Sequence, residues 1–309
     1  MTTPGIAFIS SSFDMRPLAG QLQSLRPDWK VLVWPDDGWD QAEVAVCWNT
    51  PPGVYARMPR LALVHGIAAG IDNIVEHHDL RETRVCRVID TAQTRGMVEY
   101  IQWGVTYFQR DFDRVLAQQA RSEWKRPVLR AAEDCRVGIM GLGATGATVA
   151  QSLAANGYRV SGFCRTPRSV EGVETFAGDA QWAPFLSSLN ILVCMLPLTP
   201  ATRHVLGRKT FDLLPRGTGL IHAGRGEQLV PEDLRDAIAS GQLRGAIIDV
   251  FPQEPLPPDD SLWRTPGIVV TPHMATMAST KVILSQIVGN VERLGSGEAL
   301  VNAVDVSKY

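Results

Sequence analysis

Four stretches of this chain hold residues whose types and spacing can do chemistry, and the first is a glycine-rich turn. Gly141-Leu142-Gly143-Ala144-Thr145-Gly146 follows the apolar run RVGIM and leads into a helical pattern. In that setting Gly141 permits a tight turn, Gly143 lets the backbone approach a pyrophosphate, and Gly146 lets helix and strand pack closely. The amides of Ala144 and Thr145 would point at the phosphates from the helix N-terminus. An NAD enzyme ends the next strand in Asp or Glu, about twenty residues on, to hold the ribose 2′-hydroxyl. Here that strand ends GFCRTPRS, with Cys164 in the acidic position and Arg165, Thr166 and Arg168 behind it. A carboxylate would repel a 2′-phosphate, whereas a guanidinium pairs with one bidentately. NADP(H) is therefore expected over NAD(H), against the plainer reading that these arginines are only solvated surface charges.

The other three stretches are Gly224-Arg225-Gly226, DVFPQEPLP (249–257) and TPHMA (271–275). Each lies just past an apolar run that reads as a parallel strand, where ligands bind in open α/β sheets. Singly they are ordinary, since an arginine in a glycine turn is usually solvated and a histidine after Thr-Pro is often a cap. Downstream of a dinucleotide turn, their joint occurrence makes Arg225, Glu254 and His273 candidate catalytic residues.

These stretches need elements to position them. IAFIS (6–10), KVLVW (30–34), VAVCW (44–48), LALVH (61–65) and VCRVI (85–89) read as buried parallel strands, with helices such as 17–26 between them. From Met97 to about Gln119 apolar residues recur at helical spacing without proline, so one long helix is expected. Trp103, Tyr107 and Leu116 on it read as core or subunit interface. A second series then follows: RVGIM (136–140), 158–163, 191–196, 219–223, 245–250 and 268–272, with helices over 147–156 and 231–240. A last amphipathic helix is expected over 278–294. The fold class is α/β with parallel sheets.

Composition excludes other classes. The 309 residues carry 30 Lys and Arg against 32 Asp and Glu, a net charge of −2, so nothing draws nucleic acid or an anionic membrane. Apolar residues are 45% and charged ones 20%, as in a globular chain. No apolar run is long enough for a membrane span. The N-terminal MTTPGIAFISSSFD has no basic region ahead of its apolar stretch and does not read as a signal peptide. Cys47, Cys86, Cys135, Cys164 and Cys194 are odd in number and lack a Cys-x-x-Cys, which suits reduced cytoplasmic thiols and no structural zinc. The pair His77-His78 before Asp79 reads as surface rather than as a metal site.

With these residues in order, the chain resembles the D-isomer-specific 2-hydroxyacid dehydrogenase family, and within it the glyoxylate/hydroxypyruvate reductase A group. Beyond the glycine turn, the likeness runs through AAGIDNIV (68–75), MVEY (97–100), CRTPRS (164–169), LPLTPATRHVLG (196–207), GRGEQL (224–229), DVFPQEPLP, SLW (261–263) and TPHMA. Trp48, the Arg-Thr-Pro-Arg segment and Tyr309 point to the group. The resemblance implies two Rossmann-like or flavodoxin-like domains with an interdomain active-site cleft. Residues 1–98 with 277–309 would form a discontinuous substrate-binding domain, and 99–276 the nucleotide domain.

It also implies roles. Reducing a 2-keto acid needs a proton for the carbonyl oxygen and a holder for the carboxylate. His273 would be the general acid–base, Glu254 would accept its other ring N–H, and Arg225 would bind carboxylate and carbonyl together. The amides of Ala69, Gly70 and Ile71 would take the carboxylate from the other domain, and Trp48 would lie over the substrate. Trp124 would reach into the neighbouring subunit of a homodimer formed through the 100–130 region. Asp249 and the carbonyl of Ala223 would hold the nicotinamide carboxamide, while Leu196, Pro197, Gly224 and Ala275 line the cofactor path. Two bulky rings favour a small acid, glyoxylate or hydroxypyruvate. The formate dehydrogenase branch carries Gln where Glu254 stands, so it is set aside.

The chain departs from the family in two places. The segment before Arg225 reads His222-Ala223-Gly224, where the family commonly has Asn and Ala, and His222 is expected to be packed or hydrogen-bonded locally. Arg95, in TAQTRG (91–96), would favour a second anionic group on the substrate. The alternatives are a reductase for a bulkier acid such as phenylpyruvate, and a non-catalytic nucleotide sensor of the same fold.

Overall fold

Runs of Val, Ile and Leu make the strands, and glycines and prolines end them. The computed structural model describes residues 4–75, 80 and 83–306, with the backbone alone at Thr91. In chain order the elements are β1 (Gly5–Ser10), α1 (Arg16–Leu25), β2 (Lys30–Val33), β3 (Val44–Trp48), β4 (Leu63–Gly66), α2 (Asp72–Val75), β5 (Arg84–Cys86), α3 (Thr91–Gln109) and α4 (Phe112–Ala120). There follow β6 (Arg136–Met140), α5 (Ala144–Ala155), β7 (Arg159–Cys164), β8 (Val173–Ala177), α6 (Trp182–Leu186), β9 (Ile191–Cys194) and α7 (Arg208–Phe211). The last are β10 (Thr218–His222), α8 (Pro231–Ala239), β11 (Leu243–Ile248), β12 (Ile268–Val270) and α9 (Thr280–Ser296).

The chain divides into two units, residues 1–93 with 277–309, and residues 94–276. In the first, the sheet order is β2-β1-β3-β4-β5, the flavodoxin-like arrangement. All its ladders are parallel. Its core lies on both faces of the sheet, with Ile6, Phe8, Val44 and Val46 against Leu22, Ile287 and Val291 on one, and Ala7, Ile9, Ala45 and Cys47 against Trp39, Ile71 and Ile74 on the other.

The second unit holds a seven-stranded parallel sheet in the order β12-β11-β10-β9-β6-β7-β8. Between β6 and β9 the chain reverses its direction of travel across the sheet, so a ligand crevice belongs at their C-terminal ends. α3 buries Ile101, Val105 and Phe108 among Val137, Ile221 and Ile247. A Cβ at Gly104 would come 2.8 Å from Ile221 Cδ1, so glycine there sets how closely this helix lies on the sheet.

Some boundaries differ from expectation. The single helix expected over 97–119 is two, because Asp111 adopts a left-handed φ of 56° between α3 and α4. Arg244 holds it there, donating to Asp111 Oδ1 at 2.6 Å and to Asp113 Oδ2 at 2.9 Å. Trp103 and Leu116 are exposed rather than core. β8 had no counterpart in the sequence reading: Val173–Ala177 is an edge strand interrupted by Glu174 and Thr175. His77, His78, Asp79 and Tyr309 lie outside the described residues. Among those described, no helix is long and apolar enough to cross a membrane.

Candidate active site

Three adjacent strands of the second unit deliver the candidate catalytic residues from their C-terminal ends. Arg225 follows β10, Asp249 and Glu254 follow β11, and His273 follows β12. His273 Nδ1 lies 2.8 Å from Glu254 Oε2, and both side chains are partly buried. The Phe251 amide donates to the other carboxylate oxygen at 2.9 Å, so Glu254 is aimed rather than loose. A carboxylate only accepts, so the imidazole carries its proton on Nδ1 in this contact.

His273 is itself held in a left-handed conformation, φ 51°, which costs a non-glycine residue free energy. Asp249 compensates. Its carbonyl accepts from the His273 amide at 2.9 Å. Its carboxylate accepts from Thr271 Oγ1 at 2.6 Å, the Met274 amide at 2.9 Å and the Ala275 amide at 2.9 Å. Asp249 is buried, and burial pushes its carboxyl above the ordinary value, against the opposing pull of these hydrogen bonds and of His273. Three of about four acceptor positions on that carboxylate are thus committed to the loop. Asp249 organises the His273 loop, a role the sequence reading did not assign.

Arg225 opens a one-turn helix over 226–228 with its backbone extended. Its guanidinium donates to the Gly224 carbonyl at 2.8 Å. Gly226 is obligatory, since a Cβ there would lie 1.9 Å from the Phe251 carbonyl carbon. His222 is buried with Nε2 2.9 Å from the Arg225 carbonyl, the local bond expected of it. Burial pushes its pKa down to about 4.

Along the same sheet edge, β9, β6 and β7 bring the candidate cofactor residues together. Gly141 has φ 103°, and a Cβ at Gly146 would meet the Gly141 carbonyl oxygen at 1.9 Å, so turn and helix–strand contact both demand glycine. Nothing lies within 4 Å of where a Cβ of Gly143 would be. That bare cradle at the N-terminus of α5, with no side-chain cap and Ala144 exposed, fits a dinucleotide phosphate. Cys164 ends β7 buried, and Arg165, Thr166 and Arg168 behind it are exposed. Arg168 bends back to donate to the Leu142 carbonyl of the glycine turn. Leu196 and Pro197 follow β9, and Ala223 follows β10.

The first unit carries the remaining candidates. Trp48 ends β3, half-buried. Its neighbour Asn49 is left-handed, φ 44°, and its carbonyl accepts from the Ser11 amide at 2.9 Å and hydroxyl at 2.6 Å. Ala69, Gly70 and Ile71 form the loop after β4, with Ile71 buried. His65 braces its base: Nδ1 is 2.8 Å from the Gly66 carbonyl and Nε2 is 3.1 Å from Asn290 Nδ2. Arg95 pairs with Glu99 at 3.1 Å and is exposed. Trp124 is 96% exposed.

Sequence reasoning missed Tyr100, Thr271 and Gln228. Tyr100 shares a 2.7 Å hydrogen bond with Thr271 Oγ1, which passes on to Asp249. Gln228 bonds the Arg225 amide. Tyr100 and Gln228 lie inside motifs already singled out, MVEY and GRGEQL, but nothing local says that their polar atoms face inward.

Comparison with known proteins identifies the relatives of this chain. Residues 103–275 match the NAD binding domain of D-isomer specific 2-hydroxyacid dehydrogenases. The chain is 35% identical over 296 residues to a glyoxylate/hydroxypyruvate reductase A of Serratia proteamaculans (strain 568), covering 94% of each. It superposes on a D-isomer specific 2-hydroxyacid dehydrogenase family protein from Klebsiella pneumoniae 342 with a TM-score of 0.94 at 42% identity, covering 99% of each chain. An NADPH-dependent glyoxylate/hydroxypyruvate reductase from Sinorhizobium meliloti, solved with NADP and sulfate, gives a TM-score of 0.88 at 30% identity, covering 99% of each chain. The chain belongs to the D-isomer specific 2-hydroxyacid dehydrogenase family.

Proposed function

We propose that this protein uses NADPH to reduce a small 2-keto acid, glyoxylate or hydroxypyruvate, to the corresponding D-2-hydroxy acid. The observation that carries this reading is the His273–Glu254 pair, 2.8 Å apart, beside the Arg225 turn on a sheet built for a dinucleotide. NADP(H), when bound, supplies the hydride for the carbonyl carbon. Arg225 binds the substrate carboxylate and polarises the carbonyl. His273, protonated at the start, gives its Nε2 proton to the carbonyl oxygen as charge develops there, and Glu254 stabilises and orients the imidazolium. The other substrate contacts are assigned to the amides of Ala69, Gly70 and Ile71 and to Trp48. Ala223 offers its carbonyl to the nicotinamide carboxamide, while Arg165, Thr166 and Arg168 bind the 2′-phosphate. The relative from Sinorhizobium meliloti, NADPH-dependent by name, supports that cofactor choice.

Residues 99–276 act as the nucleotide domain, and 1–98 with 277–309 as the substrate domain. The exposed Trp103, Leu116 and Trp124 form the face of a homodimer, with Trp124 lining the partner's site. Five buried thiols suit a reducing cytoplasm. The test is NADPH oxidation with glyoxylate, hydroxypyruvate, pyruvate and phenylpyruvate, with NADH in parallel. Fast turnover of the two small acids with NADPH is expected. Preference for phenylpyruvate removes the substrate assignment, and tight NADPH binding without turnover of any acid makes the protein a sensor.

A further inference from the structure

The Arg225 turn is held by a buried amide that the proposed chemistry does not itself use. Gln228 is fully buried three residues after Arg225. Its Oε1 accepts from the Arg225 amide at 2.9 Å, and its Nε2 donates to the carbonyls of Leu196 at 3.1 Å and Pro197 at 3.0 Å. These partners fix the orientation of the amide, because a backbone N–H only donates and a carbonyl only accepts. The Cys194 thiol adds a donor to the same Oε1 at 3.6 Å. Every polar atom of the side chain is therefore engaged, and a fully satisfied buried network specifies a single arrangement.

Two further features belong to this clamp. The His222 ring meets the Arg225 carbonyl at 2.9 Å, so both backbone polar groups of Arg225 are gripped by buried side chains. At Gly224 a Cβ would fall 2.2 Å from Gln228 Oε1 and 3.1 Å from the Leu196 carbonyl oxygen. Glycine at 224 leaves room for that amide.

We infer that Gln228 is a positioning residue, which sets Arg225 for the substrate carboxylate and keeps it in register with the 196–197 segment on the dinucleotide path. The inference rests on Arg225 being the substrate anchor of the proposed function. Its geometric basis is that Gln228 joins the loops following two neighbouring strands, β9 and β10.

Gln228→Met keeps the length of the side chain and removes all three backbone bonds. Gln228→Glu keeps the acceptor for the Arg225 amide. With glyoxylate and NADPH, the Met variant should lose about 10- to 100-fold in kcat/KM, the scale of a misplaced binding group. The Glu variant should recover part of that loss. In an Arg225→Ala background Gln228→Met should cost little more, as for residues that act as a unit. Hydrogen exchange needs no turnover, and it should show the Arg225 amide losing protection in Gln228→Met while the β10 amides keep theirs. Should the Met variant not fold, Gly224→Ala displaces the same amide and must reproduce the loss. Equal losses from Gln228→Met in both backgrounds, or an Arg225 amide equally protected with and without Gln228, overturns the inference. A wild type that reduces no keto acid, yet loses that protection on substitution, overturns the proposed function and leaves the clamp.

Discussion

Glu254 meets His273 from an anchored position: one carboxylate oxygen lies 2.8 Å from Nδ1, and the other accepts the Phe251 amide at 2.9 Å. With Nδ1–H directed at the carboxylate, proton exchange with a substrate falls to Nε2. His273→Gln should lower kcat by about 10²- to 10⁴-fold, the usual worth of general acid–base catalysis. Glu254→Gln should cost less. A His273→Gln variant that keeps the wild-type kcat would remove His273 from this role.

Two buried histidines tie stability to pH. His65 and His222 have folded pKa values pushed down by burial to about 4, against 6.5 for the free side chain. Between those values the unfolded chain binds more protons, so acid favours unfolding. Their contribution is complete above about pH 6.5 and is lost as pH falls toward 4. The two lie in different units. Thermal melting between those pH values should therefore show His65→Gln flattening the acid dependence of the first unit and His222→Asn that of the second.

Gly143 and Gly146 separate binding from folding. Gly146→Ala drives a methyl into the Gly141 carbonyl and should destabilise by about 1–3 kcal/mol, the cost of overpacking. Gly143→Ala meets no neighbour within 4 Å and has φ −63°, so the melting temperature should hold while NADPH affinity falls. Titration by fluorescence alongside melting checks both. A large stability loss at 143 would contradict the cradle.

Arg168→Ala should raise KM for NADPH about tenfold or more, in line with losing a charge-assisted hydrogen bond, and leave KM for NADH almost unchanged. Equal rises for both cofactors would assign Arg168 to holding the glycine turn through Leu142 instead of reading the 2′-phosphate.

If the proposed homodimer forms, Trp124→Ala should raise KM for glyoxylate while light scattering reports the same mass as for the wild type. The exposure of this ring in a single chain motivates the assignment. An unchanged KM in intact dimers counts against a shared site.

Much of this protein was legible along the chain, because the signals are local. Apolar runs such as VAVCW and RVGIM have nowhere to go but a parallel sheet, and the glycine turn follows its strand directly. Arg225, Glu254 and His273 stood out because each follows a strand end, and parallel strands put those ends on one edge. What escaped depends on distant partners. α3 and α4 separate at Asp111 because Arg244, 133 residues away, grips it. Asp249 organises a loop because Thr271, Met274 and Ala275 return to it from β12. Gln228 became a clamp only when β9 and β10 brought Leu196 and Arg225 to its two ends. Periodicity reports which residues must leave water. Only the tertiary structure decides which polar groups they find there, since a buried donor or acceptor is satisfied by whatever the fold brings within about 3 Å.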